Sequence, residues 1–158
     1  MKNAVIVAAA GAVIFYYFRN EVAGVTRKIS VARGIRNNNP GNIKSDPRNA
    51  WQGKTGSDGV FDIFDTPENG IRAIVKILTS YRARGITSIR DIIDEWAPPG
   101  DKNNTTAYIN AVSSRMNASH SARVVPSNIV DFISAVIKHE NGSQPYALSV
   151  IRAGANKT

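Results

Sequence analysis

Residues 3–18, Asn-Ala-Val-Ile-Val-Ala-Ala-Ala-Gly-Ala-Val-Ile-Phe-Tyr-Tyr-Phe, carry no charge, and Lys2 and Arg19 flank them. A chain has few places for such a run. It is slightly short of the roughly 20 residues of an ideal membrane span. Asn3, Asn20 and the snorkelling basic ends extend it. Tyr16, Tyr17 and Phe18 stand where an aromatic belt lies. A secretory signal peptide competes with this reading, but residues 15–19 match a small-residue cleavage site poorly. A buried core helix is the third reading, and such a helix at a chain end rarely lacks a polar face. The sequence therefore predicts a transmembrane anchor over residues 1–19, a basic linker over 20–32 and one domain over 33–158. Orientation stays open. Arg19, Arg27, Lys28, Arg33 and Arg36 follow the run, which by the positive-inside rule keeps the domain cytoplasmic. A cell-wall enzyme needs the other side.

Composition narrows the function. The chain has 158 residues, 42% hydrophobic and 20% charged, so it is globular and not disordered. There are no cysteines. That excludes disulfides, thiolate metal sites and a cysteine nucleophile. His120 and His139 are the two histidines, too few for a histidine-rich metal site. No metal and no cofactor is predicted. The net charge of +8 favours a polyanionic neighbour: nucleic acid, an anionic membrane or an anionic wall polymer. The basic residues beyond position 60 are scattered among acids, with no recognised nucleic-acid-binding motif.

The domain opens with Arg33-Gly-Ile-Arg-Asn-Asn-Asn-Pro-Gly-Asn-Ile-Lys44, a run too rich in turn residues for a helix interior or a central strand. Residues 49–64 alternate loosely and predict a small β-hairpin over Trp51, Phe61 and Phe64. Thr66-Pro67-Glu68 is a helix start, and Ile71, Ile74, Val75, Leu78 and Tyr81 continue it to Gly85. Ser88 caps a second helix through Ile92, Ile93 and Trp96, which Pro98-Pro99-Gly100 ends. Thr105 or Thr106 opens a third, with Tyr108, Ile109 and Val112. Pro126 or Ser127 opens a fourth, running to about His139 and stopping at Asn141-Gly142. A short helix near 145–153 closes the domain. The sum is a mainly α domain with one small β-hairpin.

One carboxylate stands out. Ile129, Ile133, Val136 and Ile137 form an apolar stripe on the fourth helix, and Glu140 is its next member. It points to the core side, in the last helical turn, where burial and the helix dipole both disfavour a negative charge. A glutamate that holds its proton is what a general acid for glycosidic cleavage requires. A glutamate at a helix end can equally swing into water or pair with an arginine. A two-carboxylate hydrolase needs a partner acid. Asp58, Asp62, Asp65 and Asp101 are candidates, and none stands out.

Ile137-Lys-His-Glu-Asn-Gly142 resembles the glutamate-bearing helix end of lysozyme-like lytic transglycosylases. Thr106-Ala-Tyr108-Ile109-Asn-Ala-Val112 is similar to their Tyr-Val-x-x-Val helix motif. Asn39-Pro-Gly-Asn-Ile43 looks like the asparagine-rich loop beside their catalytic glutamate. The order differs: the glutamate helix usually comes first and here comes late, as in a circular permutation. The longer run over about residues 33–146 resembles a group of phage virion-associated, lysozyme-like proteins.

The resemblance implies an α+β lysozyme-like domain that cleaves the MurNAc–GlcNAc bond of peptidoglycan, with Glu140 as single acid/base. It also implies substrate contacts from Asn38, Asn39, Asn42, Tyr108 and Trp51. Each of these has a plainer reading: the asparagines satisfy their own loop, and Tyr108 is a core ring. Trp96, at helical spacing from Ile92 and Ile93, reads as core. His139, one residue off the stripe, reads as exposed. The expected partners are peptidoglycan, a lipid membrane through residues 3–18 and other virion or capsid proteins, in a virion membrane or host inner membrane. The alternative is a non-catalytic virion protein linking membrane and capsid. Charge alone keeps nucleic acid open as a third partner.

Overall fold

The computed structural model describes residues 31–101 and 103–157. In order they form α1 (Arg33–Arg36), β1 (Lys54–Ser57), β2 (Asp62–Phe64), α2 (Pro67–Ala83), α3 (Ile89–Trp96), a 3-10 turn (Pro99–Asp101), α4 (Thr105–Met116), α5 (Ile129–Asn141) and α6 (Leu148–Asn156).

The helix starts follow from their caps. Thr66 accepts from the Asn69 amide, Ser88 from the Asp91 amide and Asn104 from the Ala107 amide. The stops are left-handed residues, Asn117 (φ +48°) after α4 and Gly142 (φ +67°) after α5. Each helix buries one face. Ile71, Ile74, Ile89, Ile93, Val112, Ile133, Ile137 and Ile151 are all completely buried. At about 1.5–3 kcal/mol per buried side chain, this cluster is the main favourable term of the fold. Gly154 lets α6 lie on α2: a Cβ there would come within 2.7 Å of Ile71.

The sheet is small and antiparallel, with Lys54 opposite Phe64 and Ser57 opposite Asp62. Phe64 is buried, and Trp51 and Phe61 are half-buried. Asp58 sits in the turn between the strands. Its carboxylate accepts from Arg33 Nε and Nη2, at 2.6 and 2.7 Å, and from Asn37 Nδ2 at 2.6 Å. The Arg33 guanidinium foremost, then the Phe61 amide, hold this carboxyl well below the ordinary range. A carboxyl lowered by folding adds stability above its unfolded value, about 3.9, and loses it as pH falls toward the folded value. Wild-type melting temperature is therefore expected to fall on acidification below about pH 4. Asp58→Asn should start lower at pH 7 and fall less steeply. Parallel melting curves across that range would remove Asp58 from the account.

The expected fold class needs correction. It was a mainly α, lysozyme-like α+β domain with a single N-terminal transmembrane helix. Among the described residues no helix is long and apolar enough to cross a membrane. The longest, α2, has 17 residues and is interrupted by Glu68, Arg72, Lys76 and Arg82, the pattern of a helix with one wet face. Residues 3–18 lie outside the described residues. What stands is a mainly helical fold with one two-stranded sheet. Three local differences remain. The opening run makes one helical turn, α1, before its loop. The fourth helix starts at Ile129, because Asn128 turns its side chain back to the Val125 amide. The last helix, expected near 145–153, is displaced by three residues and runs Leu148–Asn156.

Candidate active site

The site is built where the asparagine loop meets the end of α5. After α1 the chain folds on itself, with the Asn39 amide donating to the Gly34 carbonyl at 2.8 Å and the Asn42 amide to the Asn39 carbonyl at 2.9 Å. Asn38 and Asn42 both take left-handed backbone (φ +48°), a conformation asparagine tolerates better than other non-glycine residues. Asn38 donates to the Phe64 and Asp65 carbonyls. Asn39 is fully buried, donates to the Ile43 and Asp62 carbonyls and accepts from the Ile43 amide. These two side chains fasten the loop to β2 and spend their amides there. Asn141 fastens its other side, donating to the Pro40 carbonyl at 2.8 Å.

Asn42 is left to face the site. Its Nδ2 donates to Glu140 Oε2 at 3.0 Å. From α3, Trp96 Nε1 donates to Glu140 Oε1 at 3.2 Å. From α4, the Tyr108 hydroxyl donates to the same oxygen at 2.9 Å. Three neutral donors from three segments thus converge on one half-buried carboxylate. Tyr108 is 3% exposed. Burial foremost, then the neighbouring Glu140, push its phenol well above the ordinary range, so it remains a donor at any working pH. Glu140 opens on a cleft of about 430 Å³ whose walls include Asn42, Phe61, Tyr81, Glu95 and Trp96. An open cleft with partly apolar walls and a few fixed polar groups is the ordinary form of a small-ligand site.

Of the residues read from the sequence, the structure brings Asn42, Tyr108 and Glu140 together. Asn38 and Asn39 act within their loop. Trp51 packs against the core and is not among the residues lining the cleft. Trp96, read as core, packs there too and also binds Glu140. Asp58, Asp62 and Asp65 do not line the cleft. Asp62 is fully buried with Lys54 Nζ at 2.8 Å, and Asp65 accepts from Asn69 at 2.7 Å. The side chain of Asp101 lies outside the described residues. Sequence reasoning missed Glu95, which lines the cleft and pairs with Arg84 at 2.8 Å. Its only signal was its place beside Trp96. Among the described residues no cluster of histidines and carboxylates suits a metal ion.

Fold and site together define a small helical domain with a carboxylate-centred cleft. No family model matches the chain. The chain is 41% identical over 128 residues to Protein P5 of Pseudoalteromonas phage PM2, covering 78% of this chain and 79% of that protein. It belongs to the family of that phage protein.

Proposed function

We propose that this chain is a phage-particle enzyme that cleaves the MurNAc–GlcNAc bond of peptidoglycan, with Glu140 as acid and base. The observation that carries the reading is the Glu140 carboxylate, held by Asn42, Trp96 and Tyr108 at the edge of an open cleft. The resemblance to lysozyme-like lytic transglycosylases supports it, as does kinship with a phage protein.

Glu140 gives its proton to the glycosidic oxygen as the bond to C1 breaks. The substrate's N-acetyl group shields the oxocarbenium-like carbon. Glu140, now a base, takes the proton of the sugar's own C6 hydroxyl, whose oxygen closes on C1. The product is an anhydro sugar, and no water is consumed. Asn42, Trp96 and Tyr108 keep the carboxylate in one place throughout, which is where most of an acid catalyst's advantage lies.

The test is product analysis. The full chain is incubated with purified peptidoglycan and the released muropeptides are weighed, with Glu140→Gln alongside. Anhydro-ended fragments that vanish in the variant are the expected result. Reducing ends instead would make the chain a hydrolase and require a second carboxylate. No release by folded wild-type protein would overturn the enzymatic reading in favour of a structural particle protein.

A further inference from the structure

His139 adjoins Glu140 near the end of α5 and is exposed. Its ring nevertheless lies flat on that of Tyr108, the centroids 3.7 Å apart and the planes 16° from parallel. Tyr108 belongs to the core cluster, and the histidine packs on one face of its ring. The same tyrosine donates from its hydroxyl to Glu140 Oε1. A small tilt of a phenol ring is magnified at its oxygen, and a hydrogen bond of 2.9 Å weakens as its distance and angle depart from the optimum.

We propose that His139 is a positioning residue for Glu140, acting through Tyr108: the imidazole holds the phenol ring so that its hydroxyl stays on the carboxylate. The kinetic consequences rest on the reading of Glu140 as the acid. The contact itself does not.

The charged and titratable groups around His139 are Tyr108 and Arg115 from α4, and Lys138 and Glu140 from α5. The part of the imidazole shielded from water foremost lowers it below its ordinary value of 6.5, and the Glu140 charge partly offsets this. Protonation then changes the ring that touches Tyr108, and the change passes to the carboxylate. A side chain that only filled space would not pass its titration on to the bond between Trp96 and Glu140.

The readout is the Trp96 indole N–H, which donates to the oxygen that Tyr108 also binds. The chain has two tryptophans, so two indole signals appear in a nitrogen–proton spectrum, and Trp51→Phe assigns them. In the full chain the Trp96 signal should move with pH, with an inflection below 6.5 that matches the His139 ring. His139→Phe keeps the stack and should lose the inflection. His139→Ala should displace the signal at every pH. In peptidoglycan release, His139→Ala is expected to lower kcat about tenfold with KM within about twofold, and His139→Phe to restore most of it. An unchanged Trp96 signal and unchanged kcat in His139→Ala would overturn the inference. If the wild type releases nothing, the proposed function falls and the indole signal alone decides for or against His139.

Discussion

Glu140→Gln should lower peptidoglycan release by about 10²–10⁴-fold, the span of general acid catalysis, and leave the fold standing. The reason lies in the partners of the carboxylate. Trp96 and Tyr108 both donate to Oε1. A glutamine oxygen placed there accepts both, so two of the three side-chain bonds survive. The glutamine nitrogen then faces Asn42 Nδ2, donor against donor, at the place of the 3.0 Å bond. Asn42 can relieve this by turning its amide. The net local cost is about 1 kcal/mol, small beside total stability. Thermal melting should therefore barely move while release collapses. A variant that keeps more than a tenth of wild-type release would show that another group supplies the proton.

Gly70→Ala carries the second largest effect, on stability. Gly70 lies in the first turns of α2, where Gly→Ala ordinarily gains about 1 kcal/mol of helix propensity. Here an added Cβ would lie 2.0 Å from the Asn38 carbonyl oxygen and 3.0 Å from Pro40 Cδ. Neither can give way cheaply. Asn38 is held in left-handed backbone and its side chain is fastened to Phe64 and Asp65. Pro40 is buried under the Asn141 latch. The clash should outweigh the propensity gain, for a net loss of about 3 kcal/mol and a fall of about 10 °C in melting temperature. The same displacement moves Asn42, so release should drop with it. An alanine variant that melts at or above wild type would mean that helix and loop are not in the contact described.

Glycine at position 70 also shows where sequence reading stops. The helix around it was legible from Thr66-Pro67-Glu68 and the spacing of Ile71, Ile74, Val75 and Leu78, because caps and periodicity are local. The approach of the asparagine loop is not local, and nothing in the helix announces it. The loop itself has the same limit. Asn38, Asn39 and Asn42 are chemically alike, and their fates are set by backbone twist and by which carbonyls of β2 lie near. Glu140 could be placed from its stripe. Its donors could not be completed, because Trp96 fits a core position and a site position equally well. The His139–Tyr108 stack depends on how α4 lies against α5, which no spacing within either helix encodes. Residues 3–18 carried the strongest one-dimensional signal in the chain, and they lie outside the described residues.

The bond between Asn42 and Glu140 joins residues 98 positions apart. Chains are made in order, and early segments begin to fold before late ones exist. The asparagine loop, the hairpin and α2 can therefore assemble while the ribosome has yet to add the glutamate they face. The Glu140 carboxylate thus meets a loop whose shape is set before it arrives, and the cleft becomes complete only when α5 docks.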